Sequence, residues 1–558
     1  MAESITFTGL GSGIDLESIV KALVDNEKKR FITPIETWKT SWQDKITAFQ
    51  ELNTKLISFS TAVKSLDTPA EFLVKRASVS DSTVLSATAT SSAFNGSTTI
   101  TINQLSQCEK EIHAGHPDAQ TTAVTSVAGT FSYTYSGMTR TLTVPAGTTL
   151  SQLVKIINND PQNPGVTASI IDDGSGTSTA FHLVLSGNNT GADYTITMIS
   201  HTLNNFATGG TSGGGFDETQ TAQNAQLKID GYPATGWIER STNTITDVLT
   251  GITMTLFSTG TTTITVSTDT AAIKENIKNF VNTFNEIRSY IKEKTAYNTA
   301  TDKAGILLGN YAVDTIKNRL NAIVSSKPTG FRDGYDTYVN LMQIGIHTDA
   351  DIGSATEGLL IIDNAKLDEA LSENPDAVAR LFSAYFTGRS AHAKLSYESY
   401  IDGITEPGTY EIKFIAGVPP SGQIRLKGTT EWHPATWDNA SQTLTGGYGY
   451  PEAGLVVKIT DPSTSFIGEV DLQRGIAGKL KDELDALLDS DDGPLAVLED
   501  NYTNIIKSAD NKIEFEEKRI AIYEKRLKER YARLESLLSE LNNQMSYLSM
   551  RVQQLTQK

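Results

Sequence analysis

At 558 residues, with 38% hydrophobic residues, 43 glycines and 20% charged residues, the chain has the composition of an ordered protein of several domains. Its net charge of -18 argues against a nucleic-acid partner, because phosphate binding needs a positive face. No apolar run approaches the ~20 residues of a membrane span, and the single cysteine, Cys108, excludes an internal disulfide and a thiolate zinc cluster.

The first residues lack the basic stretch and apolar core of a cleaved secretory signal, so any export is expected by another route. Gly9-Leu10-Gly11-Ser12-Gly13 stands between a strand-like run and a helix-like segment, residues 16–28. A dinucleotide loop would need a second strand soon after, but a long helix comes next; the glycines read as a flexible entry. Asp15 and Ser18 are placed to start the first helix. A second is predicted from Thr33-Pro34-Ile35-Glu36, which match a capping box with proline in the first turn. Its heptads are Ile35, Trp42, Phe49, Leu56 and Val63 in one series, and Trp38, Lys45, Leu52, Phe59 and Leu66 in the other. Only Lys45 breaks this seam, and Pro69 ends it.

From Ala77 the period falls to two: residues 77–89 and 98–105 alternate small or apolar side chains with Ser and Thr, as half-buried strands do. Strand patterns recur at 130–135, 166–171 and 181–185, interrupted by one short amphipathic helix, 150–158. His113 and His116 have an HxxH spacing but flank Gly115 and precede Pro117, so a loop is expected there and not a metal-binding helix. Five glycines within 209–215 read as a linker or loop. After strands near 225–230 and 252–266, Ile273, Ile277, Phe280, Phe284, Ile287 and Ile291 form the stripe of a third long helix. Shorter helices are expected near 312–324 and 364–382, and a second β region over 397–471.

The last stretch, 494–558, has no glycine and no proline after Pro494. Ile506, Ile513, Ile520, Leu527, Leu534, Leu541, Leu548 and Leu555 recur every seven residues, and Tyr531, Leu538, Met545 and Val552 join as a second series. Such a seam makes helices supercoil with partners. Before Tyr531 an intramolecular bundle and an intermolecular contact are equally open; beyond it, contact with other chains is expected. The candidate interface is therefore Tyr531, Leu534, Leu538, Leu541, Met545, Leu548, Val552 and Leu555, with Ile35, Trp38 and Trp42 from the N-terminal seam.

These residues resemble a known family along nearly the whole chain. Gly9 to Asp15 with Ile19-Val20, Thr99 to Leu105, Ile229-Asp230-Gly231, Ser241 to Val248, Phe280-Val281-Asn282, Leu308-Gly309-Asn310, Ile344-Gly345-Ile346, Gly358-Leu359-Leu360 and Asp363 with Lys366-Leu367 are similar, in this order, to flagellar hook-associated protein 2, the filament cap family. Thr148 to Ile157 with Gly165 to Ala168 resembles a motif shared by flagellins and hook-associated proteins. Two features depart from the pattern: Asn310 stands where an acidic residue is usual, and the 397–471 segment is not part of the common core.

The resemblance implies a non-enzymatic assembly factor, exported unfolded, that forms a ring of identical copies at the extracellular filament tip. Its implied partners are copies of itself, flagellin, hook–filament junction proteins and an export chaperone, with no cofactor, metal, nucleic acid or membrane insertion. The expected fold is α+β multidomain, with terminal coiled-coil or helical bundle legs and inserted antiparallel β domains. The expected division is an N-terminal leg (1–76), a first β head (77–108 and 220–267), a second inserted in it (109–219), a helical body (268–390), an additional β domain (391–471) and a C-terminal leg (472–558). The alternative is a surface adhesin, with Trp432, Trp437 or Trp237 stacking on glycans. An enzyme is not expected, since no catalytic constellation is connected by a local motif.

Overall fold

The computed structural model describes residues 15–299 and 302–556, the last three of these by backbone only. The glycine segment Gly9–Gly13 lies outside the described residues. The described helices are α1 (Leu16–Phe31), α2 (Thr33–Lys64), α3 (Pro69–Phe72), α4 (Leu150–Asn158), α5 (Thr270–Thr295), α6 (Tyr311–Ser325), α7 (Asn364–Glu373), α8 (Pro375–Ser383), α9 (Ile476–Leu487) and α10 (Pro494–Thr556). The chain divides into two compact units, one of residues up to Phe72 together with those from Lys274, the other Leu73–Ile273.

In the first unit Asp15 starts α1 as its N-cap, accepting from Ser18 N–H at 3.0 Å. The capping box at Thr33 and Glu36 does not form. Ile32 keeps a helical backbone, and its carbonyl accepts from the N–H groups of Ile35 and Glu36, so the chain passes from α1 into α2 without opening a helix end for Thr33 to cap. The stripe of α2 is buried at Phe49, Leu52, Leu56, Phe59 and Val63. Phe59 lies 5.5 and 5.7 Å from the rings of Phe280 and Phe284 on α5, where Ile277, Ile287 and Ile291 complete a buried face. Each such side chain is worth about 1.5–3 kcal/mol relative to exposure. Asn310 still caps α6, accepting from Ala312 N–H at 3.1 Å, so the missing acidic residue costs no cap.

The same unit holds an eight-stranded antiparallel sheet in the order Tyr385–Ser390, Phe466–Arg474, Gly408–Ile415, Ser421–Leu426, His433–Asp438, Thr443–Gly446, Val456–Ile459 and Leu395–Ser399. The first and last strands meet where Tyr397 lies across Gly388; a Cβ there would come within 2.0 Å of the ring, so only glycine lets the sheet curl this far. Tyr410, Ile412, Phe414, Ile424, Leu444, Val457 and Val470 fill its interior. Beside it Arg332 donates from Nε to the fully buried Asp471 at 2.9 Å and also pairs with Glu469, while Arg389 pairs with Asp336. Burial pushes the Asp471 carboxyl up, against the pull of Arg332 and of Thr409, whose hydroxyl donates at 2.8 Å.

The second unit has two cores. A five-stranded sheet (Lys75–Val79, Gly260–Thr268, Gly96–Gln104, Ala225–Ile229, Ile238–Arg240) and a three-stranded one (Thr244–Ile245, Ile252–Leu256, Leu85–Ala89) bury Leu85, Ile100, Ile102, Leu227, Met254 and Ile264. A four-stranded sheet (Phe216–Gln220, Lys110–His113, Phe181–Gly187, Val166–Asp172), a three-stranded one (Met138–Val144, Gly129–Tyr135, Ile196–His201) and α4 enclose Phe131, Tyr133, Tyr135, Leu153, Ile157 and Leu185. The inward residues alternate with Thr and Ser, as the period of two requires.

The fold corrects the loop expected at His113 and narrows the linker or loop expected over 209–215 to a loop. His113 ends a strand and is fully buried, its ring stacked 3.6 Å from Phe206, and His116 exchanges backbone hydrogen bonds with Phe181. The two rings do not converge on a metal: His113 Nδ1 accepts from Gly115 N–H at 3.1 Å and Nε2 donates to Ala207 O at 3.2 Å. The 209–215 segment is no linker. It folds back on this core through Phe216 N–H to Gly213 O, and Gly215 (φ 83°) leaves room for Ala207 O and the His113 ring, which a Cβ would strike.

Candidate functional site

The 63 residues of α10 extend about 95 Å. Their first half is covered from within. Tyr502 lies 4.8 Å from Trp42 and 5.7 Å from Phe49, and accepts from Asn310 Nδ2 at 3.1 Å. Lys39 pairs with Asp510, Gln50 donates to Glu499, and Arg519 donates to Glu27 at 3.1 Å while its guanidinium sits 4.3 Å from the Phe31 ring. These pairs set the register: as α2 and α1 are followed backwards, their partners advance along α10, so the joined pair runs antiparallel to it. Val20, Val24 and Ile32 close over Ile520, with Ile513, Leu527 and Tyr531 packed at the margin.

Among the described residues the cover stops where α1 starts. Leu16 is the first residue of α1, and Tyr531 is the last residue of α10 in that cluster. Leu538 is half-buried, and every residue of 539–553 is exposed: Leu541 by 50%, Met545 by 67% and Leu548 by 61%. Leu534, Leu537, Tyr547, Met550 and Val552 are exposed on the same stretch. Charge falls away here too, since 539–553 carries only Glu540 and Arg551, whereas the preceding turns hold close ion pairs such as Lys528–Glu524 at 2.7 Å. A long helix with exposed Leu and Met at heptad spacing and few charges has the chemistry of a surface finished by another polypeptide.

Two candidates fall on the internal side of this division. Tyr531 packs against the α1 cluster and Trp42 is half-buried on Tyr502, with Lys45 Nζ 4.2 Å above its ring, because the antiparallel register brings α1, α2 and α10 together at these turns. Ile35 is half-buried and Trp38 is 46% exposed, its ring 6.1 Å from Trp42. The side chain of Leu555 lies outside those described. The covering face of α1 was missed in the sequence, although Leu16, Val20 and Val24 recur every four residues there.

The tryptophans considered for adhesion are each occupied. Trp437 packs on Phe414 at 5.3 Å within the sheet interior, Trp432 has the Arg425 guanidinium 4.3 Å from its ring, and Trp237 has Lys228 at 4.9 Å. Among the described residues no His, Cys, Asp and Glu cluster could hold a metal, and no helix is long and apolar enough to cross a membrane.

Residues 222–543 match the family described as flagellar hook-associated protein 2 C-terminus, residues 12–109 its N-terminus, and residues 125–189 the flagellin hook IN motif. The flagellar hook-associated protein 2 of Escherichia coli (strain K12) is 31% identical over 396 residues, 68% of this chain and 80% of that one. The A-type flagellar hook-associated protein 2 of Pseudomonas aeruginosa is 29% identical over 407 residues, 69% and 81% of the two. In fold, the D1-D2-D3 domains of the E. coli flagellar cap protein FliD superpose with a TM-score of 0.52 at 24% identity, covering 82% of this chain and 99% of that one. The chain belongs to the flagellar hook-associated protein 2 family.

Proposed function

We propose that this protein caps the growing flagellar filament as a non-enzymatic, homo-oligomeric assembly factor beneath which newly exported flagellin folds and polymerises. The observation that carries the reading is the apolar end of α10, in a chain of this family, exposed among the described residues beyond the turns that α1 covers. On this reading Leu534, Leu538, Leu541, Met545, Leu548 and Val552, with Leu555 continuing the spacing, pack against neighbouring copies or flagellin, and Ile35 and Trp38 add to the contact. Trp42 and Tyr531 act indirectly, by fixing α2 and α1 on α10. Before assembly an export chaperone covers the same helix end, and hook–filament junction proteins are the first surface the cap meets. The site of action is then extracellular, at the distal tip.

On this reading the first and second β heads (77–108 with 220–267, and 109–219) form the plate of the cap and the leg segments 1–76 and 472–558, with the body 268–390, contact the filament; the additional domain (391–471) is assigned to neither part. The test is truncation after Tyr531. Cells making the shortened chain are expected to release unpolymerised flagellin into the medium, and normal filaments from them would defeat the proposal.

A further inference from the structure

Among the described residues Met254 is fully buried, whereas Met138, Met198, Met342, Met545 and Met550 are all exposed. The last two stand on the uncovered end of α10 with similar exposure, 67% and 58%. Their places in the heptad differ. Met545 follows Tyr531 and Leu538 and precedes Val552 at intervals of seven, so it belongs to the apolar seam, between Leu541 and Leu548. Met550 comes five residues later, about 140° further around the helix, and faces away from that seam.

A thioether adapts readily to an apolar contact, and it is also a side chain whose polarity oxidation reverses. With a peroxide the chemistry is simple. The sulfur gives an electron pair to one peroxide oxygen, the O–O bond breaks, and the proton of the transferred oxygen passes to the departing hydroxide, which leaves as water. Sulfur is oxidised to the sulfoxide and the peroxide is reduced. The new oxygen is a hydrogen-bond acceptor, and the adjoining seam side chains, Leu541 and Leu548, have no donor to offer it once the seam is closed. At Met550 the same oxygen stays in water. The one thiol, Cys108, is half-buried and lies outside α10.

We propose that Met545 is a reversible oxidation site on the end of α10: as the sulfoxide formed by a peroxide it keeps the seam from pairing with another copy of this chain, and reduction of the sulfoxide restores the pairing. This rests on the capping proposal in one respect, that the seam joins copies of the chain. The test starts from the full chain, diluted until light scattering gives the mass of one chain and then treated with hydrogen peroxide. Oxidation of each methionine is read by peptide mass spectrometry, and the mass is followed again as the protein, freed of peroxide, is concentrated. Met545 and Met550 are expected to oxidise together while Met254 is spared. Assembly of the oxidised chain is expected to need about tenfold or more protein than before, and methionine sulfoxide reductase is expected to reverse this. The Met545→Leu variant, which keeps the seam apolar, should assemble equally well with and without peroxide, and Met550→Leu should respond as the parent does. A Met545 that stays reduced while Met550 oxidises, an oxidised parent that assembles as before, or a Met545→Leu variant weakened as much as the parent overturns the proposal and leaves the capping reading in place. A chain that is single at every concentration before any peroxide refutes the joining of copies, and the switch with it.

Discussion

Glu109 and His113, four residues apart beside one buried strand, should make opposite and nearly cancelling contributions to the acid response of their domain. Glu109 accepts from Ile196 N–H at 3.0 Å, and burial pushes its carboxyl from about 4.5 up to about 7. Its contribution to stability is fully present below its ordinary value and is lost as pH rises through 7. Glu111, which accepts from Ser212 at 2.7 Å and is likewise pushed up by burial, adds in the same sense. His113 is pushed down by burial from about 6.5 to about 4, and the facing His116, His182 and His201 add to the effect. Its two ring nitrogens are matched to a neutral ring, one accepting from Gly115 and the other donating to Ala207, so its contribution is present above its ordinary value and lost as pH falls toward 4. At ~1.36 kcal/mol per pH unit each displacement is worth up to about 3 kcal/mol, with opposite signs between pH 7 and 4.5.

Removing one partner should therefore expose the other. The Glu109→Gln variant keeps an acceptor for Ile196 and loses the titration, so relative to the parent it is expected to lose up to about 3 kcal/mol on acidification from pH 7 to 4.5. The His113→Phe variant keeps the stack on Phe206; weaker at pH 7, it is expected to recover relative to the parent as pH falls. Hydrogen exchange of peptides covering Lys110–His113, corrected for the intrinsic pH dependence of exchange, reads this difference in the full chain. If both variants track the parent across the range, burial does not govern these two groups and the reasoning fails.

Two further substitutions test the packing. Ile520→Ala empties the site where Val20, Val24 and Ile32 converge, and is expected to cost about 2–4 kcal/mol, seen as faster exchange in α1 and in the facing turns of α10; unchanged exchange would mean that α1 is not held there. Arg332→Ala leaves the fully buried Asp471 without its cation and is expected to cost about 3–5 kcal/mol, read as a lower unfolding temperature of the eight-stranded sheet domain.

What the sequence made legible was whatever depends on period. The sevenfold spacing marked α2, α5 and α10, and the alternation of Thr and Ser with Ile and Val marked strands such as Gly96–Gln104 with their inward faces. The exposed residues Leu541, Met545 and Leu548 were likewise in the seam from the start. Register between distant segments was not legible. A heptad position does not say which helix covers it, so Trp42 and Tyr531 read as equivalent to Leu541 until the antiparallel pairing of α1 and α2 with α10 separated them. The helix begins at Thr33 as read, but the supposed cap failed for a local reason, since Ile32, in helical conformation, takes the N-cap position and Thr33 is already the first residue of α2. His113 was misplaced because Gly115 and Pro117 are strong turn signals, and they outweighed a strand of only four residues held by its neighbours.

The central claim is that the last turns of α10 are completed only by other chains, and the mass of the protein in solution tests it most directly. By light scattering the parent is expected at several times the 60.3 kDa of one chain, and a Leu541→Asp/Leu548→Asp variant near 60.3 kDa with unchanged circular dichroism, since exposed substitutions barely alter the fold itself. A parent that runs as a single chain, or a variant that assembles as the parent does, would contradict it.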